Sequence, residues 1–166
     1  MDELVPRLRA LCKDAAHYDI GLNIDAEEAD RLDISLDCIE AISEDPELKD
    51  WQGFGVVVQA YQKRAPYVLD YLADMGRRHK RRFMVRLVKG AYWDMEIKRA
   101  QELGMDGYPV FTRKANTDVS YLACVRKMFA NRDAFFPQLA THNAHSIAAV
   151  LEFAGNARDF EFQRLH

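Results

Sequence analysis

Short β-like runs recur along this chain, and a longer amphipathic segment follows each of them except the last. The interval from one run to the next is roughly 20 to 35 residues, the length of a strand with its crossover helix. Because a strand that returns through a helix pairs in parallel with its predecessor, the pattern predicts an α/β fold with a parallel sheet. The six predicted strands are residues 20–26, 53–61, 82–90, 108–114, 136–142 and 159–165.

The segments between these runs have the apolar spacing of helices that cover a sheet. The predicted helices are residues 2–19, 26–45, 65–80, 94–104, 117–131 and 143–156. Gly104 is expected to follow the end of its helix, because glycine tolerates the left-handed conformation found there. Thr117 or Asp118 is expected to cap the start of the next helix with its side-chain oxygen.

Polar side chains stand at the C-terminal ends of successive predicted strands. They are Asp25 and Glu27, Gln59 and Tyr61, Arg86 and Lys89, Thr112 and Lys114, His142 and Asn143, and Gln163. A site assembled from many strand ends is typical of the (β/α)8 barrel. The alternative is an open doubly wound sheet, but no glycine-rich phosphate turn follows an early strand. Because a closed barrel has eight strands, the sequence predicts an incomplete barrel of about six parallel βα units.

Composition narrows the classes of function. The formal net charge of -3 argues against a nucleic-acid partner, because no overall positive field would attract phosphate. No apolar run reaches the length of a membrane-spanning helix. The three cysteines, Cys12, Cys38 and Cys124, are far apart and odd in number, which is typical of a protein in the reducing cytoplasm.

Residues 85–94, VRLVKGAYWD, combine a strand-like run with two cations, a glycine and two aromatic residues. Alternate side chains of a strand share a face, so Arg86 lies with Val88 and Gly90 while Lys89 points away from them. An inward arginine offers fixed donors and a permanent charge, which suits a phosphate, a carboxylate or a flavin. A core strand that ends in a turn is the equally open structural interpretation.

The neighbouring polar and aromatic residues also have two interpretations each. Tyr92 and Trp93 follow the strand end, where they could cover a flat ligand or only cap the sheet. Gln59 offers both a donor and an acceptor, as recognition of a heterocycle edge requires. Asp25 could pair with Arg86 and orient it, or cap the helix that follows.

The residues at this edge of the sheet also raise two other chemistries, a metal site and a Schiff base. His142 and His145 are three residues apart, but no carboxylate or HExxH pattern accompanies them, so a metal site is not expected. Lys89 or Lys114 could form a Schiff base, since barrel aldolases carry their lysine on a strand. A histidine that donates to a bound ligand is the better use of His142.

Six stretches in chain order resemble the proline dehydrogenase domain of the bacterial proline utilisation A flavoenzymes. They are GLNIDAEEADRL, GFGVVVQAYQKR, MVRLVKGAYWD with EIKRAQ, YPVFTRK with TDVSYLAC, ATHNAHS, and FEFQRLH. The resemblance covers residues 20–166 with natural spacing. It implies a distorted (β/α)8 barrel that binds FAD and oxidises L-proline to Δ1-pyrroline-5-carboxylate by hydride transfer to flavin N5. The six strands then correspond to the third to eighth strands of the family.

The same resemblance implies roles for individual residues. Arg86 resembles the arginine that hydrogen-bonds flavin N5, and Asp25 and Tyr92 join it as catalytic candidates. The implied cofactor-binding residues are Gln59, Arg86, Val88, Gly90, Trp93, Thr112, Lys114, Thr141, His142 and Asn143. No metal is implied.

The resemblance further implies that residues 1–166 form a partial domain. The family's first two strands and its final helix, which carries paired arginines for the proline carboxylate, have no counterpart here. An aldehyde dehydrogenase domain would follow in the parent enzyme, which is cytoplasmic and can lie peripherally at the inner membrane. The alternatives are a noncatalytic barrel fragment that associates with itself and, less favoured, a Schiff-base aldolase barrel.

Overall fold

A computed structural model of the chain describes residues 1–165. The α-helices within this range are α1 (Leu4–His17), α2 (Leu32–Ser43), α3 (Ala65–Arg78), α4 (Trp93–Glu102), α5 (Lys114–Ala130) and α6 (Ala144–Ala154). The strands are β1 (Leu22–Ile24), β2 (Phe54–Gln59), β3 (Phe83–Val88), β4 (Phe135–Ala140) and β5 (Glu161–Gln163). Two 3-10 turns lie at Ala29–Arg31 and Pro46–Leu48. Among the described residues, none of the helices combines the length and the hydropathy that a bilayer-spanning segment requires.

The five strands form one sheet in the order β1-β2-β3-β4-β5, and every neighbouring pair is parallel. The predicted parallel α/β sheet is therefore confirmed. Each strand pairs with the one before it in the chain, as short crossovers through a helix dictate. The register places Arg86 beside Val57 on one side and beside Gln138 on the other.

The prediction of a strand over residues 108–114 is wrong. β3 pairs directly with β4, so no strand lies between them. Val110 instead forms one antiparallel bridge with Gln62, and Phe111 N donates to Tyr61 O at 2.8 Å. The run is apolar because Val110 is fully buried beside the loop after β2, and a buried loop residue and a strand residue have the same local pattern.

The helix boundaries correct a second expectation. α5 begins at Lys114 rather than after Thr117 or Asp118, with Arg113 in an extended conformation before it. Neither predicted capping side chain is at the helix start, and Asp118 accepts hydrogen bonds from lysines instead. Gly104 follows α4 with φ of 59°, as expected for the residue after a helix end.

The two faces of the sheet differ sharply. On β3, Phe83, Val85 and Leu87 are fully buried beneath the helices. Met84, Arg86 and Val88 alternate with them, are partly exposed and point to the opposite, open face. The helices thus cover one face, and a second face remains for a ligand or for further chain.

The sheet is strongly curved toward its open face. Asn23 of β1 donates from Nδ2 to Gln138 Oε1 of β4 at 2.9 Å, although two strands separate β1 from β4. In a flat sheet these strands would be about 14 Å apart at three spacings of about 4.8 Å. Two short amide side chains meet across that gap only because the sheet curls.

An ion-pair cluster ties together the chain that enters β3, β4 and β5. Arg82, at the start of β3, and Arg132, before β4, both bind the carboxylate of Asp159, before β5. Burial opposes ionisation of Asp159, but the hydrogen bonds from Arg132 and Arg82 outweigh it and lower the pKa of that carboxyl. Arg82 Nε also donates to Phe135 O at 2.9 Å. The strand starts are therefore held by satisfied charges.

Candidate functional site

A cleft of about 840 Å³ opens on the uncovered face at the C-terminal ends of the strands. Its lining draws on all five strands or the turns that follow them, and it contains most of the residues proposed from the sequence. These are Asp25, Gln59, Arg86, Val88, Gly90, Tyr92, Lys114, Thr141, His142 and Asn143. Trp93 and Thr112 are not part of this lining.

Arg86 lies near the middle of the sheet and at the floor of this cleft. Its Nη2 is 3.0 Å from Asp25 Oδ1, so of the two interpretations of Asp25 the structure shows the pairing with Arg86. Its Nε is buried and has no hydrogen-bond partner within residues 1–165. An unpaired buried donor costs free energy, so the arrangement favours an acceptor in the cleft.

Gln59 pairs in register with Val88, one side-chain row closer to the C-terminal ends of the strands than Arg86. A row here means the residues of neighbouring strands that lie side by side on the open face. The side chain is buried, and Nε2 donates to Glu27 O at 2.7 Å. The amide group therefore fixes the loop that follows β1 while it lines the cleft. Val88, in the same row, adds an apolar side chain to the lining of the cleft.

Gly90 lies two residues beyond the end of β3 and has a φ of 129°, a conformation that residues with a side chain rarely adopt. A Cβ at this position would lie 2.4 Å from a ring carbon of Tyr61. The glycine was expected to admit a flat ligand, but the group that approaches it here is the Tyr61 ring. Burial raises the pKa of Tyr61 to about 12, so this ring stays neutral.

The two aromatic residues after Gly90 have different environments. Tyr92 donates from its hydroxyl to Glu27 Oε2 at 2.6 Å, and this hydrogen bond raises the pKa of Tyr92. Trp93 donates from Nε1 to Phe111 O at 2.9 Å, which ties α4 to the segment before α5. Tyr92 therefore covers the cleft from one side, whereas Trp93 anchors the helix beside it.

Lys89 and Lys114 share one carboxylate. Lys89 Nζ lies 2.5 Å from Asp118 Oδ1, and Lys114 Nζ lies 2.8 Å from Asp118 Oδ2. The hydrogen bonds from Lys114 and Lys89 lower the pKa of Asp118. An amine that donates to a carboxylate is not a free nucleophile, so this geometry gives the Schiff-base alternative no support.

The turn after β4 organises its own backbone. Thr141 Oγ1 accepts from Asn143 N at 3.0 Å, and Asn143 Oδ1 accepts from Ser146 N at 3.0 Å as the N-cap of α6. His142 Nε2 accepts from Leu165 N at 3.2 Å and so holds the chain beyond β5. These three side chains line the rim of the cleft, and their hydrogen bonds fix the backbone around it.

Two further residues of this face, Glu27 and Gln163, were placed at strand ends from the sequence without a role in the site, and Glu161 was not singled out. Glu27 binds Tyr92, and it was assigned to a helix because it falls in the acidic run AEEAD. Glu161 and Gln163 share one face of β5, where Gln163 Nε2 donates to Glu161 Oε1. Glu161 and Gln163 alternate with Phe162 along β5, and this alternation was the signal that could have placed both side chains on the open face.

One group of side chains within residues 1–165 has the spacing of a metal site, and it lies away from the cleft. Glu40, Glu44 and His79 bring their ligand atoms within 4.8 Å of one another. Glu40 already accepts from Arg78 at 2.7 Å and from Tyr71 at 2.8 Å. The contacts of Glu40 with Arg78 and Tyr71 explain this cluster as a network of ion pairs and hydrogen bonds without a metal.

The chain is similar to known proteins in sequence and in fold. The family model for proline dehydrogenase matches residues 3–166. The bifunctional protein PutA of Salmonella typhimurium is 60% identical over 169 residues, and that of Klebsiella aerogenes is 59% identical over the same length. Each alignment covers 100% of this chain and 13% of the relative, so the chain spans about an eighth of those proteins. A crystal structure of Bradyrhizobium japonicum proline utilization A superposes with a TM-score of 0.98 at 60% identity, covering 100% of this chain and 17% of that one. The chain belongs to the proline dehydrogenase family.

Proposed function

We propose that this chain is part of an FAD-dependent enzyme that oxidises L-proline to Δ1-pyrroline-5-carboxylate. The observation that carries the proposal is Arg86, a cation at the cleft floor whose buried Nε–H has no partner among residues 1–165. Membership of the proline dehydrogenase family supplies the reaction class. The activity of the much longer relatives is extended to this chain by proposal.

The residues of the cleft fit a flavin. A volume of about 840 Å³ falls within the range of cofactor sites, and an acceptor atom would satisfy the unpaired Nε of Arg86. Apolar Val88 and the Gly90 backbone offer a flat surface beside that donor. Gln59, Lys114 and the turn with Thr141, His142 and Asn143 offer the polar rim that a larger cofactor requires.

The chemistry that FAD supplies when bound is acceptance of a hydride from proline C5 at its N5. Arg86 would place a permanent positive charge and a hydrogen-bond donor beside such a group, because its guanidinium lies at the cleft floor. Asp25 holds the guanidinium at 3.0 Å and fixes its direction. Tyr92, oriented by Glu27, closes one side of the cleft and limits the access of water.

We infer that the sheet is part of a (β/α)8 barrel and that residues 1–166 form part of a larger catalytic domain. The support is the curvature that brings Asn23 of β1 to Gln138 of β4 and the parallel pairing of all neighbouring strands. The remainder of a bifunctional enzyme, including an aldehyde dehydrogenase domain, is the proposed partner in the parent protein. Cys12, Cys38 and Cys124 are free and buried, which suits the cytoplasm.

A chimera tests the proposal directly. This chain replaces the matching segment of the Salmonella typhimurium relative, whose second activity reports on folding. The purified chimera is expected to show flavin absorption and to reduce a dye in the presence of L-proline. A colourless chimera that retains the second activity would contradict the proposed cofactor.

The 166-residue chain alone is expected to oxidise proline feebly or not at all, even with FAD supplied. The open face leaves the site in contact with water, and the resemblance places a carboxylate-clamping arginine pair in another segment. Loss of such a contact costs about 2–5 kcal/mol, or roughly 30- to 4000-fold in rate. Turnover comparable to that of the chimera would show that the chain is sufficient.

A further inference from the structure

Four polar side chains on the open face form one hydrogen-bonded chain that spans β1, β4 and β5. Asn23 Nδ2 donates to Gln138 Oε1 at 2.9 Å. Gln138 Nε2 donates to Glu161 Oε1 at 2.9 Å, and Gln163 Nε2 donates to the same oxygen at 2.7 Å. A single carboxylate oxygen therefore receives two carboxamide groups.

This arrangement fixes the direction of both glutamines. An ionised carboxylate only accepts hydrogen bonds, so each glutamine must turn its NH2 group toward Glu161. Gln138 then has its oxygen engaged by Asn23. Gln163 has its oxygen available on the side away from Glu161.

Gln163 lines the cleft, whereas Glu161 is not among the described residues that do so. The register explains the difference, because Gln163 pairs with Ala140 in the cleft row and Glu161 pairs with Gln138 one row deeper. Glu161 thus acts on the cleft through its neighbour. The acceptor Oε1 is the group that Gln163 can present to an occupant.

We propose that Glu161 is a positioning residue that holds the carboxamide oxygen of Gln163 toward the cleft. The cleft then selects an occupant with an N–H or O–H donor at the β5 edge. The proposal rests on the proposed function in one respect: FAD, which carries ring N–H and ribityl O–H donors, is the probe. A residue that only tied strands together would not act through Gln163.

The first test needs no ligand and uses the full 166-residue chain labelled with nitrogen-15. Gln163→Met identifies the Gln163 side-chain NH2 signals by removing them. In Glu161→Met these signals are expected to shift and to exchange faster with solvent. Glu152→Met, which removes an exposed carboxylate from α6, is the matched control and should leave them unchanged. Unchanged Gln163 signals in Glu161→Met would overturn the proposal, whether or not the chain binds FAD.

The second test is a double-mutant cycle on the dissociation constant of FAD, measured by fluorescence titration of the same chain. Glu161→Met and Gln163→Met are each expected to weaken binding about 3- to 10-fold, the effect of one hydrogen bond. Because Glu161 acts through Gln163, the double variant should be no weaker than Gln163→Met. Effects that multiply would overturn the positioning role. If the wild-type chain alone does not bind FAD, the same cycle is measured in the chimera. A chimera that does not bind FAD either would count against the proposed function, and the signal comparison would then decide the positioning role alone.

Discussion

The two faces of β3 are made from alternating residues of one short strand, yet they differ in burial and in hydrogen bonding. Phe83, Val85 and Leu87 have no exposed surface and pack beneath the helices. Arg86, between two of them in the chain, faces the cleft with a buried donor that the described residues leave unpaired. One face is optimised for packing, while the other retains an energetic cost that a ligand would relieve. Phe83, Val85 and Leu87 therefore stabilise the fold, whereas Arg86 faces the space in which a ligand would bind.

The largest expected effect comes from the covered face. Leu87→Ala leaves a cavity in the core and should lower the free energy of unfolding by about 2–5 kcal/mol. Its neighbour Val88→Ala, on the open face, should cost about 1 kcal/mol or less, because its side chain is already partly exposed. Denaturant titration of both variants measures the difference. Equal losses would mean that the open face is as tightly packed as the covered one.

Arg86→Met should have the opposite profile. We expect little change in the free energy of unfolding, but FAD binding and proline oxidation in the chimera should weaken. The lost charge-assisted donor corresponds to about 1.5–3 kcal/mol, or roughly 10- to 150-fold in affinity. Arg126→Met, on a helix that covers the other face, is the matched control. Unchanged turnover in Arg86→Met would remove this arginine from the site.

The uncovered face should also make the chain associate with itself. The edge strands β1 and β5 leave backbone groups unpaired within the described range, beside a partly apolar surface. Light scattering of the 166-residue chain is expected to give a mass above that of the monomer at high concentration. A Val57→Lys change on the open face should reduce this mass by placing a charge there. A strict monomer at all concentrations would contradict the expectation.

The smallest effect concerns the strand starts. Because the pKa of Asp159 is lowered in the folded state, its contribution to stability is present above the unfolded value of about 3.9 and is lost as the pH falls through the folded value. Asp159→Asn should therefore lower the free energy of unfolding at pH 7 by less than about 1 kcal/mol, as exposed ion pairs do. It should also flatten the decline in stability below pH 4. Asp106→Asn, at an exposed site, should change neither quantity.

The sequence predicted the covered face better than the open one, for a physical reason. Burial under helices imposes alternation and helical spacing, which are local patterns. Five strands and six helices were therefore identified, although α5 begins three residues before its predicted start. Residues 108–114 were misassigned because Val110 is buried by a loop rather than by a sheet. Local periodicity does not distinguish these two forms of burial.

On the open face, contacts depend on curvature, which no local pattern encodes. The pairing of Asp25 with Arg86 could be anticipated because both stand near strand ends on one edge. The link from Asn23 to Gln138 and on to Glu161 crosses strands that a flat sheet would keep apart. The functional roles of Arg86 and its neighbours remain predictions that the proposed variants test.

The strand order has a consequence for synthesis on the ribosome. Because each strand pairs with the one made before it, the sheet can grow by addition at one edge as the chain emerges, without inserting a strand between two others. One addition is slower than the others, because residues 89–134, which contain α4 and α5, must be synthesised between β3 and β4. At about 5–20 residues per second, the edge of β3 waits unpaired for on the order of a few seconds. During that interval the unpaired edge of β3 is open to pairing with a wrong strand, and a chaperone that covers this edge would prevent it.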